Sequence, residues 1–272
     1  MNKKSIAQHG GMKCPKIRNS SGVLSKIMKY YQFSVFYERE LKLWNENSIY
    51  RGLPFQMYIY HNRMQYLKKL PKDIKDYELI RGINIAGIVR GYSVFDTTYF
   101  NQIIQDYGIK SIYDPCSGWG ERMLCSYLND VKYIGVDINN KLFDGYNNMI
   151  KDFDIKNCEL RNSDNTYFVP NVDVDMTFVC PPYHDIEVYT DIGVENLDYD
   201  EYLNWWNEVV INSIACNSKY FGLQINQKYK SDLSQIVLYN GYRLIKEFQF
   251  DVKKSHLSQN KKEFESVLLF ER

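Results

Sequence analysis

Residues 174–183 read Val-Asp-Met-Thr-Phe-Val-Cys-Pro-Pro-Tyr, and the fold follows from how that stretch must behave. Its first part is apolar enough to be a buried strand. Pro181 and Pro182 cannot donate to a sheet ladder, so the strand has to stop there. An aromatic ring, Tyr183, is then left at the strand's carboxyl end. In an open α/β sheet that edge is where ligands bind.

Outward from this stretch the pattern alternates between strand and helix. Upstream, residues 91–107 begin with a glycine-led turn and become helical, with Asp96 or Thr97 as the N-cap. Strands are expected at 111–114, 132–137 and 158–161, with helices at 121–128 and 141–153. Downstream come a helix over 199–216 that carries Trp205 and Trp206, a strand over 219–225 and a helix over 229–239. The end differs. Residues 242–251 and 264–270 read as two strands with no helix between them, joined by the polar loop KKSHLSQNKKE. The expected fold class is therefore α/β: a doubly wound, mostly parallel sheet closed by a C-terminal antiparallel hairpin. That domain would span 91–272. Residues 1–22 are polar and basic and read as a mobile tail. Residues 23–90 read as a helical N-terminal region, with Leu24, Ile27, Met28, Tyr31 and Val35 at three- and four-residue spacing.

Composition bounds the function. The chain has 272 residues and is 44% hydrophobic, enough for one large domain with an appendage. A formal net charge of +1 gives no whole-protein field that announces a nucleic-acid partner. Short basic clusters such as Lys68/Lys69/Lys72 and Lys253/Lys254 read as solvated surface. The 24 tyrosines suit stacking as well as packing. The six cysteines form no C-x-x-C pair and the four histidines are scattered, so no metal site is expected. Their placement suggests reduced thiols in an intracellular protein. No apolar run approaches the roughly 18 residues of a membrane span.

Three loops accompany the opening stretch. Asp114-Pro115-Cys116-Ser117-Gly118-Trp119-Gly120 follows a strand and opens a helix. Its glycines let a ligand approach the backbone and free helix amides to face it. It is not G-x-G-x-x-G, and no Lys-Ser/Thr follows the glycines, which rejects a phosphate-binding P-loop. Asp137-Ile138-Asn139 ends the next strand, where a carboxylate can accept both hydroxyls of a ribose or cap a helix. Ser163-Asp164-Asn165 ends the third, where a carboxylate can accept from an adenine amine or shape a turn. Together they have the layout of a nucleoside-bearing cofactor lying across a sheet edge.

Here the chain resembles the class I S-adenosylmethionine-dependent amino-methyltransferases, a Rossmann-like family. Members acting on exocyclic amines of nucleic-acid bases carry Asp/Asn/Ser-Pro-Pro-Tyr. The run D-P-C-S-G-W-G-E-R, preceded by G-Y-S-x-F-D and followed by C-P-P-Y-x-x-x-E-x-Y-x-D, looks most like DNA methylases of phages and large viruses. The resemblance covers about residues 90–272. It implies methyl transfer to a DNA base amine, cytosine N4 or adenine N6, with S-adenosylmethionine as cofactor, DNA as partner, an additional subunit or self-association open, and a host-cell cytoplasmic location if viral. It implies that Asp114, Pro115, Ser117, Gly118 and Gly120 line the methionine portion, with Tyr92 and Phe95 beside the amino-acid end. Asp137 and Ile138 would hold the ribose side and Asp164 the adenine. Cys180, Pro181, Pro182 and Tyr183 would be catalytic: the position-180 side chain and the Pro181 carbonyl accept from the amine, and Tyr183 stacks on a flipped-out or single-stranded base.

Cys180 departs from the family's pattern, because a thiol is a poor acceptor. Either a small residue suffices there, or the chain is a silent methyltransferase-fold nucleic-acid-binding subunit, or Cys180 is a nucleophile toward pyrimidine carbon-5. An RNA or protein-glutamine amino-methyltransferase is a further alternative. His184, Asp185, Glu187, Tyr189, Gln224, Asn226 and Gln227 are candidate substrate contacts, and Asp191 is a candidate turn cap. One of Trp205 and Trp206 faces the core.

Overall fold

A computed structural model describes residues 21–32, 35, 95–184, 194, 197–251 and 264–272. The readings for the tail, for most of 23–90, for Tyr92, for Asp185, Glu187, Tyr189 and Asp191, and for the loop between the last two strands lie outside these residues. Described residues 25–32 and 35 fall in one compact unit, and 21–24, 95–184, 194, 197–251 and 264–272 in another.

Helix α1 is Ser21–Tyr31. Leu24, Ile27, Met28 and Tyr31 on it are buried, as expected from their spacing, and so is Val35 beyond it; Val23 is buried too.

The larger unit is built on a seven-stranded sheet. In chain order its elements are α2 (Thr97–Tyr107), β1 (Ser111–Asp114), α3 (Glu121–Leu128), β2 (Lys132–Asp137), α4 (Phe143–Asp152), β3 (Cys158–Asn162), β4 (Met176–Val179), α5 (Tyr199–Ala215), β5 (Tyr220–Asn226), α6 (Gln227–Tyr239), β6 (Arg243–Asp251) and β7 (Phe264–Glu271). The strand order is β3-β2-β1-β4-β5-β7-β6. β3, β2, β1, β4 and β5 run parallel, while β7 is antiparallel to both β5 and β6. The order reverses between β1 and β4, so their carboxyl ends meet at the switch point of the sheet.

Local chemistry sets the element ends. Asp96 caps α2 by accepting from the Thr98 amide, and Gly108, left-handed at φ 63°, ends it. Asp198 and Glu201 form a capping box on α5, and Asn226 caps α6. The helix expected over 141–153 is preceded by a tight 3-10 turn over Asn140–Leu142, where Asn139 accepts from the Lys141 amide. β4 begins at Met176, two residues later than read. Asp175 instead turns its carboxylate onto the Lys110 and Ser111 amides, and this pins β4 in register against β1.

The closing hairpin has a topology the sequence reading did not specify. β7 inserts between β5 and β6. Its residues 265–270 are all buried, whereas β6 carries exposed Arg243, Leu244 and Glu247 and lies at the edge. A nearly continuous apolar run needs cover on both faces, and a polar strand tolerates the rim. Trp206, Val209, Val210, Leu233 and Val237 from α5 and α6 pack with Phe221, Leu223 and Phe270 in one core cluster. Phe178 of β4 meets Phe95 and Phe100 edge-on in a second apolar contact.

Candidate active site

The loop after β1 is held from below by a buried ion pair. Asp114 is fully buried and takes Arg122 Nε at 2.6 Å and Nη2 at 3.2 Å. Tyr133 donates its hydroxyl to the same carboxylate at 2.6 Å, and the Cys116 amide donates at 3.2 Å. The Arg122 Nη2 also donates to the Cys116 carbonyl, and the guanidinium lies 4.7 Å over the Phe95 ring. Burial alone would lower the Arg122 pKa, but the adjacent Asp114 more than offsets that and drives it up. Asp114 therefore anchors the loop from beneath.

The loop above is shaped by glycine. Gly118 (φ 60°) and Gly120 (φ 103°) are both left-handed, and Gly120 is the N-cap of α3 with no side-chain cap bond. Tyr146 donates its hydroxyl to the Gly118 carbonyl. The Ser117 amide donates to Val136 O at 2.9 Å, and the Pro115 carbonyl accepts from Asn165 Nδ2 at 2.9 Å. Gly135 of β2 lies directly under the loop: a Cβ there would meet Ser117 Oγ at 2.4 Å.

Asp137 ends β2. Its carboxylate accepts from the Gly118 amide at 2.8 Å and the Asn139 amide at 2.9 Å. Burial pushes its pKa up to about 6, against the pull of these two amides. Beside it Ile138 is a large apolar side chain left 37% exposed. Past β3, Asp164 Oδ1 accepts from the Thr166 amide at 2.9 Å and the Thr166 hydroxyl at 2.7 Å. Its second oxygen has no hydrogen-bond partner among the described residues.

On the other side of the switch point, Cys180 is half-buried, Pro181 buried and Pro182 half-buried. The β1–β4 ladder pairs Ile112 with Met176 and Tyr113 with Thr177, and Cys116 and Cys180 lie past its end, near enough to interact electrostatically. Burial, then Asp114 and Asp137, drive the Cys116 thiol pKa well above its ordinary value, which keeps it neutral. Tyr183 does not present the open stacking face expected of it. It is 5% exposed, and its ring stacks on Tyr229 at 5.8 Å and 17°. His184 Nε2 sits 2.6 Å from Leu197 O. The contacts expected of the β5 end are also spent inside the fold. Gln224 donates to Glu265, Gln227 to Ser266 Oγ, and Asn226 caps α6.

The chain matches no protein-family model and no curated protein. Among solved structures, a candidate RNA methyltransferase from Pyrococcus horikoshii is similar at 13% identity and TM-score 0.49, over 79% of this chain and 99% of that one. Magnesium protoporphyrin IX methyltransferase of Synechocystis PCC 6803, solved with bound S-adenosylmethionine, is similar at 10% identity and TM-score 0.48, over 81% and 98%. An S-adenosylmethionine-dependent methyltransferase of Clostridium acetobutylicum is similar at 12% identity and TM-score 0.48, over 72% and 98%.

The structure thus brings Asp114, Pro115, Ser117, Gly118, Gly120, Asp137 and Ile138 to one sheet edge, with Asp164 on the neighbouring strand end and residues 180–183 across the switch point. Arg122, Asn165, Tyr202 and Trp205 also tie this edge together; Arg122 and Asn165 fall inside the quoted motifs and Trp205 reads as helix packing, but their sequence does not announce these contacts. Arg122 closes the quoted D-P-C-S-G-W-G-E-R run, and its place in that run was the one signal available. Chemically, the edge combines two acidic turns and a half-exposed apolar side chain with backbone that a ligand can approach closely. That combination suits a ligand with hydroxyl and amine donors and a flat ring.

Proposed function

We propose that this chain transfers a methyl group from S-adenosylmethionine to an exocyclic amine of a DNA base, cytosine N4 or adenine N6. The observation that carries the reading is the meeting of two motifs at one switch point. The glycine loop after β1 and the Cys-Pro-Pro-Tyr turn after β4 face one edge of the sheet, and the acidic strand ends Asp137 and Asp164 lie beside the loop. Crossovers of the usual right hand on either side of that reversal would put helices on opposite faces, the doubly wound layout the resemblance implies.

The residues present suit the cofactor. Gly118 and Gly120 supply left-handed backbone, and Gly135 leaves room under the loop that any side chain would fill. Asp137 would accept the ribose hydroxyls, with Ile138 flanking the ring, and the second oxygen of Asp164 would accept from the adenine amine. The cofactor would supply an electrophilic methyl on a sulfonium.

The chain's own residues act on the amine. Its nitrogen must lose conjugation with its ring before it can attack. The Pro181 carbonyl accepts one amine hydrogen and thereby favours that change, while Cys180 contributes a small side chain that leaves the amine room. Tyr183, buried against Tyr229, shapes the turn, and only its remaining edge is offered to a base. Positioning supplies most of the catalysis. The reading is tested by incubating the protein with methyl-labelled cofactor and DNA, RNA or protein in parallel. Label in DNA supports it. Label only in RNA or only in protein reassigns the substrate, and absence of cofactor binding by calorimetry ends the enzyme reading.

A further inference from the structure

We infer that Asn165, Trp205 and Tyr202 form a brace that sets the spacing between the loop after β1 and the Pro-Pro-Tyr turn after β4. They are positioning residues for the transfer proposed above, and the inference rests on that reading.

The two halves of the site need such a part. The β1–β4 ladder pairs Ile112 with Met176 and Tyr113 with Thr177, and both strands end within two residues of those pairs. Beyond them each chain turns through proline, Pro115 on one side and Pro181-Pro182 on the other, and proline cannot extend a ladder. The loop's own bonds run away from β4. The Ser117 amide goes to Val136 O and the Gly118 amide to Asp137, both on β2.

A continuous path crosses the gap. Asn165 Nδ2 donates to Pro115 O at 2.9 Å and to Cys116 Sγ at 3.3 Å, which grips the loop. Its Oδ1 accepts from Trp205 Nε1 at 3.1 Å. The Trp205 ring stacks on Tyr202, centroids 5.6 Å apart and 23° from parallel. The Tyr202 hydroxyl donates to Pro182 O at 3.1 Å, inside the catalytic turn. Asn212 holds the hub in place by donating to the Asn165 carbonyl at 2.9 Å. Asn165 and Tyr202 are buried and Trp205 is half-buried, so their rotamers are fixed by packing. Helix α5 thus acts as a rigid strut: one turn of it, residues 202 and 205, reaches the loop through Asn165 and the turn directly. The amine acceptor at Pro181 is one residue from the Tyr202 bond.

The test uses conservative variants of the full chain. Trp205→Phe keeps a stacking ring and removes the indole donor. Tyr202→Phe keeps the ring and removes the bond to Pro182. Each should lower kcat at least about tenfold, since small misplacements of reacting groups are costly, while the cofactor Kd stays within about twofold. The double variant should be little worse than the poorer single, because both cut one path. Tyr242→Phe is the matched control. It removes a buried hydroxyl bond to Ser218 O of 2.8 Å at the opposite end of β5, and should lower Tm without lowering kcat. The brace is overturned if kcat in the brace variants falls no more than in Tyr242→Phe, or if cofactor Kd rises in step with the kcat loss. It is also overturned if the double loss equals the product of the singles. A wild-type chain that transfers no methyl group sinks the functional reading first and the brace with it. An active wild type with undiminished Tyr202→Phe and Trp205→Phe sinks the brace alone.

Discussion

Cofactor binding should weaken as pH falls through about 6, because Asp137 must be ionised to accept the ribose hydroxyls. Burial raises its pKa from 3.8 to about 6. That shift corresponds to about 3 kcal/mol favouring the neutral form in the empty site. The sign follows from linkage. A folded pKa above the unfolded value means that the contribution to stability is complete below about pH 4 and is lost as pH rises through about 6. The unliganded fold is therefore less stable at neutral pH than it would be with a neutral side chain at 137. Ligand hydroxyls that donate to the carboxylate act in the opposite sense. They stabilise the charged form, so binding tightens as pH rises. With a pKa near 6 the ionised fraction is about nine-tenths at pH 7 and about one-tenth at pH 5, a roughly tenfold loss of affinity over that span. Near pH 6, binding should release about half a proton, readable by calorimetry in buffers of different ionisation enthalpy. Asp137→Asn should abolish the pH dependence and bind more weakly throughout. An amide can accept from only one of the Gly118 and Asn139 amides, and a lost charge-assisted bond is worth about 1.5–3 kcal/mol. An affinity that is flat between pH 5 and 7, with Asp137→Asn binding as well as wild type, would refute the assignment.

Substitutions at three other positions test the remaining parts. Arg122→Met should destabilise the fold by about 3–5 kcal/mol in chemical denaturation, since it leaves the buried Asp114 carboxylate uncompensated. Gly135→Ala should cost about 1–3 kcal/mol by overpacking and weaken cofactor binding as well, because its Cβ pushes on Ser117 and so on the loop. Cys180→Ala should keep most of kcat, and Cys180→Asp should raise it, if the Pro181 carbonyl carries the main bond to the amine. Loss of all turnover in Cys180→Ala with cofactor affinity intact would give the thiol a direct chemical role.

Most of the sheet was legible because its strands are short, apolar and closed by strong punctuation. Ser111–Asp114, Glu121–Leu128 and Lys132–Asp137 fall where the reading placed them: proline and glycine end one strand, and the apolar spacing dictates the others. The order of the last two strands was less legible. Both read as β, and only their burial, continuous in β7 and partial in β6, decides which one is inside. Site residues with backbone roles, Gly118, Gly120 and the prolines, could be read because glycine and proline announce conformation. Side chains that work through distant partners could not. Nothing local says that Arg122 reaches back to Asp114, or that Asn165 lies against Trp205 across 40 residues of chain. Trp206 is buried in the core while Trp205, packed against the same cluster, is half-buried and bonds Asn165, and a pair of adjacent tryptophans on one helix did not reveal which was which. Tyr183 was misjudged for the same reason. A ring at a strand end looks open in sequence, and its cover, Tyr229, lies on α6, three elements further along the chain.

The position of the transferred methyl group is the most direct measurement. Duplex and single-stranded DNA should be incubated with the protein and methyl-labelled S-adenosylmethionine, digested to nucleosides and resolved by mass spectrometry. The expected product is N4-methylcytidine or N6-methyladenosine in its deoxy form, absent when Asp137→Ala replaces wild type. Label on pyrimidine carbon-5, or none in DNA despite measurable cofactor binding, would contradict amine methylation at the Cys180–Tyr183 turn.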